Sequence, residues 1–320
     1  MKTKAMAVCV MAGILAICGA ARAVDIQTVP VGNVRNNGDD STGYGEVDYL
    51  YNIGKHEVTA GQYTEFLNAV AQTDTNALYH PDMVGNPFGC QITQSGPSGN
   101  YVYTIAPDSA NRPVNYVSFW DACRFANWLH NGQGASDTET GAYTLTADAI
   151  AANTVTRNPT WRWAVTSEDE WYKAAYHKNN GDTGDYFGYP TSSDDMPSND
   201  LVNPDPGNNA TFNDGDYTIG APFYRTQGGA HENSASPYGT FDQAGNVFEW
   251  NETIEGLERG IRGGSFNESG AMHASYRASS YYAPEGGHFI LGFRVSEVPE
   301  PATLSLLALG GLVALRRRRR

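Results

Sequence analysis

Apolar residues recur at helical spacing in three places along this 320-residue chain. Each place opens with a hydroxyl residue three positions before Gln, Asp or Glu, so that side chain and backbone cap each other's unpaired groups. Thr59 with Gln62 starts the first predicted helix, which sets Tyr63, Phe66, Leu67 and Val70 on one face. Ser118 with Asp121 starts the second, running through Trp120, Cys123, Ala126 and Trp128 to His130. Ser167 with Glu170 starts the third, carrying Trp171, Ala174 and Ala175. Tyr49 to Val58 reads as an extended lead into the first helix, and glycine-bounded pieces near Ile261 and from Phe289 to Val295 read as short buried strands. From Asn179 to Gly220 apolar periodicity almost vanishes among Asn, Asp, Gly and Pro. A loop of that length inside a domain is functional, or is organised by something other than a core, such as metal ions.

The two ends follow other patterns. Lys2 and Lys4, the apolar run Ala5 to Ala20 and the small-x-small triplet Ala21-Arg22-Ala23 read as an export signal, residues 1–23, leaving a mature chain from about Val24. At the other end Val298-Pro299-Glu300-Pro301 precedes an apolar stretch, Ala302 to Leu315, and then Arg316 to Arg320. The stretch is shorter than the roughly 20 residues of a comfortable span, and the arginines would hold it on the cytoplasmic side. Residues 298–320 resemble a PEP-CTERM sorting tail. That resemblance implies transient membrane anchoring through the C-terminal helix, cutting by a processing protease of the exosortase type, and delivery to the cell envelope or extracellular matrix.

Without these ends, the body at 24–297 holds 13 basic and 34 acidic residues, a net of −21. Such a body is repelled by phosphate backbones, which excludes nucleic acid as a partner and suits a calcium-containing exterior. Cys90 and Cys123 are the cysteines that remain, and an oxidising compartment would allow them to pair.

Several segments, in order, resemble the formylglycine-generating enzyme, or sulfatase-modifying factor, family. They are His56-Glu57-Val58-Thr59; Arg112-Pro113-Val114 through Trp120-Asp121-Ala122; Thr166-Ser167-Glu168-Asp169-Glu170-Trp171; Gly239 through Gly245-Asn246-Val247-Phe248-Glu249-Trp250; Arg262-Gly263-Gly264-Ser265; Tyr276-Arg277; and Gly292-Phe293-Arg294-Val295. The resemblance implies an α+β, variant C-type-lectin-like fold, rich in loops with short helices and strands. Its calcium site maps onto Asp242 and Glu249 through side chains and onto Gly245 and Val247 through backbone oxygens. A second calcium site maps onto Asn209, Ala210 and Tyr217, with Asp214 or Asp216 supplying a carboxylate. Carboxylate and carbonyl oxygens are the ligands a hard cation prefers.

Enzymes of that family oxidise a substrate thiol with two copper-binding cysteines, placed three residues after the serine of the Gly-Gly-Ser motif and five residues beyond that. Counted from Ser265, the family's substrate-facing serine, these positions hold Glu268 and His273. Soft thiolates select Cu(I), so copper is not expected here. A binding or surface-matrix module is the reading favoured, recognising an unknown surface ligand or matrix component. Tyr276, Arg277, Tyr281, Tyr282 and His288 are its candidate contacts, an aromatic and polar mix that orders at low entropic cost. The alternative is a diverged oxidoreductase of the same family, of formylglycine-generating or non-haem metal type.

Overall fold

The computed structural model describes residues 23–279 and 284–299. The export signal, the sorting tail beyond Pro299, and Tyr281 and Tyr282 lie outside the described residues.

Among the described residues ten strands and six helices, all short, run in the order β1 (Thr28–Val31), β2 (Tyr51–Gly54), α1 (Ala60–Val70), α2 (Asp82–Gly85), β3 (Ile92–Ser95), β4 (Val102–Ile105), α3 (Pro107–Ala110), α4 (Phe119–His130), α5 (Ala147–Ala151), β5 (Trp163–Val165), α6 (Glu168–Tyr176), β6 (Phe248–Glu255), β7 (Glu258–Arg262), β8 (Ala278–Ser279), β9 (Leu291–Phe293) and β10 (Val295–Glu297). All three capping boxes form: Thr59 with Gln62, Ser118 with Asp121 and Ser167 with Glu170. They settle the starts of α1, α4 and α6 because the signal is local to four residues.

The first sheet has the order β1-β2-β10-β5 and is antiparallel throughout. The second has the order β8-β7-β6-β9, with β9 parallel to β6. A separate ribbon pairs β3 with β4. Helix α4 is buried along almost its whole length, and Tyr63, Phe66, Phe125 and Trp128 interlock between α1 and α4 with ring centroids 5.3–6.2 Å apart. Offset and edge-on aromatic contacts of this kind add to simple area burial.

Three expectations change. The extended stretch Tyr49 to Val58 is a strand only at Tyr51–Gly54; beyond it Lys55 N turns to the Gln27 carbonyl and Val58 N to that of Phe293. The segment Phe289 to Val295 is split, β9 in one sheet and β10 in the other, with Arg294 at the crossing. Cys90 and Cys123 do not pair: both are free and buried, Cys90 Sγ lies 3.9 Å from the Asn115 carbonyl oxygen, and burial raises the pKa of both thiols.

The long polar loop contains only isolated bridges. A carboxylate organises it. Asp205 accepts from Gly207 N and Asn209 Nδ2 on one oxygen and from Asn233 N and Ser234 Oγ on the other, at 2.6–3.0 Å. A saturated buried carboxylate does for this loop what a small core does elsewhere. Burial works against its charge, yet these donors hold Asp205 below the ordinary carboxylate range.

Candidate functional site: buried carboxylates around Arg294

The centre of the domain is built where Gly245 and Asn246 turn the chain into β6. Gly245 adopts φ +79°, and a Cβ there would stand 2.0 Å from the Thr211 carbonyl oxygen, so glycine is required. Asn246, at φ 58°, donates its N–H to Thr211 O and accepts from Thr226 N. The turn delivers Glu249 to the interior. There Glu249 receives Arg294 Nη2 at 2.8 Å on one oxygen, and Arg294 Nε and Trp171 Nε1, both at 2.9 Å, on the other. Arg294 also donates to the carbonyls of Gly54 and Phe241. One guanidinium thus joins β2, β6 and the β9–β10 crossing. Burial opposes its charge, but Glu249 more than compensates and raises the Arg294 pKa.

Two further carboxylates face the same cation. Glu57, 3 % exposed, has no hydrogen-bond partner for Oε1. Burial, then Asp242, then Glu249 lift its pKa well above the carboxylate range. Burial also pushes Asp242 up, to about 6, against a hydrogen bond from Gly229 N at 2.7 Å. The expected pair, Asp242 and Glu249, is therefore brought together, but Glu249 is taken by Arg294. Glu57, quoted in the sequence only as part of a motif, is the group left open. No local signal marked it: Lys55 stands only two residues away along the chain, and the unpartnered oxygen arises from packing.

The residues of the second expected calcium group lie on one loop and have the following partners. Asn209 is held by Asp205 at 2.6 Å, Tyr217 donates to Asn267 at 3.0 Å, and Asp214 and Asp216 are exposed. Among the described residues no three His, Cys, Asp or Glu side chains cluster as a metal cage.

At the positions equivalent to the copper thiols, Glu268 and His273 make separate contacts. Ser265 is buried, and its oxygen accepts from Asn267 N at 3.3 Å. Glu268 is half-buried and its backbone bonds with Ser265 and Asn213. The His273 Nδ1 accepts from Ser275 N at 3.1 Å and lies 2.8 Å from Ser275 Oγ, while the ring stands edge-on to Tyr189 at 5.1 Å. Among the described residues no hydrogen bond or ion pair joins Glu268 to His273.

Of the candidate recognition residues, Tyr276 is 40 % exposed. Arg277 is committed: it grips Glu168 with two bonds, 2.7 and 3.0 Å, and also pairs with Glu255. The His288 ring packs on Phe289 at 4.1 Å. Concavity lies elsewhere. A cleft of about 740 Å³ runs between residues 23–27, the His56–Thr59 segment and α1, and a second of about 620 Å³ lies beside Arg112, Phe223 and Leu201. Gln227 and Gly228 line both. The sequence offered no signal for these clefts beyond the Gln227-Gly228-Gly229 run.

Across residues 22–298 the chain matches the model of the sulfatase-modifying factor enzyme 1-like domain. The chain belongs to that family. Residues 297–320 match the PEP-CTERM protein-sorting motif, which implies export to the cell envelope or surface and processing by an exosortase-type system. Three solved structures are similar to this member of the sulfatase-modifying factor family. CarF is 20 % identical, with 87 % of this chain and 100 % of that one covered and a TM-score of 0.48. The Treponema denticola variable protein 1 is 16 % identical, with 87 % and 97 % covered and a TM-score of 0.49. PvdO from Pseudomonas aeruginosa is 16 % identical, with 86 % and 92 % covered and a TM-score of 0.43. Likeness at this level says nothing about activity. No curated protein matches the chain.

Proposed function

We propose that this sulfatase-modifying factor domain is a calcium-stabilised module displayed at the cell surface for recognition or matrix assembly. The observation that supports it is the orphaned Glu57 Oε1 beside Asp242, at a centre where one guanidinium faces three carboxylates. A buried carboxylate without a partner is costly, and it must be protonated or meet a cation. Calcium takes carboxylate and carbonyl oxygens in flexible geometry. Glu57 and Asp242 would hold it, with the backbone oxygens of Gly245 and Val247, while Glu249 keeps Arg294 in place. The adjoining clefts at Gln227–Gly228 provide the concave surface that a recognition module needs.

The test is thermal unfolding of residues 24–299 in calcium and in chelator. A ligand bound only to the native state stabilises it by mass action, about 2.7 kcal/mol at a hundredfold excess over Kd. Calcium is expected to raise Tm, and Glu57→Gln to abolish the rise while keeping the calcium-free Tm at or above that of the parent. A melting curve that chelator leaves unmoved overturns the calcium assignment. Binding of the same fragment to arrayed glycans and surface proteins tests recognition, and silence across both arrays counts against it.

A further inference from the structure

The described chain leaves the domain between two strands, and exposed leucine and aromatic side chains flank that exit beside charged ones. Ser296 and Glu297 pair with Ile53 and Asn52 on one side and with Ala164 and Trp163 on the other. Val298 N continues the pairing with Arg162 O at 2.9 Å. Carried two residues further, the register sets Leu50 and Trp161 on opposite sides of Pro299. Leu50 is 61 % exposed and Tyr49 37 % exposed, and the Tyr49 and Trp161 rings meet edge-on at 6.3 Å. Arg162, beside them, is exposed and pairs with Glu297 at 3.3 Å. Leucine, tyrosine, tryptophan and arginine thus ring the point of departure.

The tether that follows is short. Pro299, Glu300 and Pro301 are all that separate Val298 from the apolar stretch beginning at Ala302. Four residues reach at most ~14 Å even when fully extended. A domain held that close to the bilayer has little choice of which face it turns inward. The Tyr49 hydroxyl is turned inward to Glu170, so leucine and the tyrosine and tryptophan rings are what this rim offers to the headgroup layer, where such side chains are favoured, with the Arg162–Glu297 pair at its border.

We infer that, before the tail is cut, the rim formed by Tyr49, Leu50, Trp161 and Arg162 rests on the lipid surface and fixes the orientation of the domain. This rests on the anchoring role proposed for the sorting tail. The rim is offered to a zwitterionic leaflet, because a body of net charge −21 is repelled by an anionic one.

The experiment uses the mature, uncut chain in phosphatidylcholine vesicles. An environment-sensitive dye is attached at Leu50→Cys, or at Val102→Cys on the β3–β4 ribbon, which is also exposed. Cys90 and Cys123 are buried, so labelling falls on the new thiol. Dye at 50 is expected to shift to shorter wavelength and to be quenched by headgroup spin labels about twofold or more above dye at 102. A Gly/Ser insert of about ten residues after Pro301, adding roughly 17 Å on average, should erase that difference without touching the fold. If the chain floats with vesicles but the two dyes behave alike, the rim does not face lipid and the inference fails alone. If dye at 50 responds only in membranes that contain the processing machinery, a protein covers the rim and the lipid assignment is overturned. If the chain does not float at all, the anchoring role fails and takes the inference with it.

Discussion

Two sets of buried carboxylates lie within this one domain and meet different fates. Glu249, Glu168 and Glu170 are each gripped by arginine: Arg294 on the first, Arg262 and Arg277 on the second, and Arg157 at 2.8 Å on the third. Burial works against Glu168 and Glu170, yet those guanidinium groups hold both below the ordinary range. Glu57 and Asp242, with only a share in Arg294, are pushed the other way. Burial by itself therefore does not decide the charge of a carboxylate here. A guanidinium built in beside the carboxylate outweighs burial for Glu168 and Glu170 but not for Glu252, which shares Arg157 with Glu170 and is pushed up, and the open set is where an external cation has something to do.

Removing a built-in cation should have the largest effect. Arg294→Met leaves Glu249 buried without its partner, and a loss of about 3–5 kcal/mol is expected in urea unfolding. A loss under about 1 kcal/mol would show that the two sets do not differ in kind.

Next comes the turn that brings the sets together. Gly245→Ala places a methyl against Thr211 O at a φ that L residues avoid, and about 2–3 kcal/mol should be lost in the same measurement, with calcium binding weakened as Asp242 shifts.

Acidity separates the sets by sign. A carboxylate with a raised folded pKa favours the native state most at low pH. That advantage is lost as pH rises from about 4 through about 6, the folded value for Asp242. In calcium-free buffer Asp242→Asn should therefore gain on the parent by about 1–2 kcal/mol between pH 4 and pH 7, an effect that calcium should cancel. Glu168 and Glu170, whose values are lowered, push stability in the opposite direction, upward with pH, so the parent alone is no substitute for the difference between the two proteins.

The smallest expected effect is at the start of α6. Ser167→Ala removes the oxygen that accepts from Glu170 N at 3.1 Å and should cost about 1 kcal/mol while leaving the calcium response intact.

What could be read from the sequence followed the range of the interaction. The three helix starts were legible because a cap is decided within four residues, and Gly245-Asn246 because the turn's demand for positive φ is local. The arginine partners were not, since Arg262 and Arg277 reach Glu168 across 94 and 109 residues and nothing in composition pairs them. Arg277 read as a recognition residue for that reason: its setting among aromatics is the same whether its guanidinium faces a ligand or a buried glutamate. The Asn179–Gly220 stretch read as a loop in need of an organiser, and Asp205 provides one through donors up to 29 residues away. Glu57 was hidden by the same logic, because an unpartnered atom is a property of the packed interior.

The strand order β1-β2-β10-β5 has a temporal meaning for a chain that is synthesised from its amino end. Strand β10 bridges β2 and β5, and it belongs to the last of the described residues. Until those residues emerge, the first sheet is two fragments and Glu249 waits without its counter-ion. The last strand of the domain and the start of the sorting motif at residue 297 thus fall within a handful of residues of one another, so that the motif is complete only after every strand of both sheets has been made.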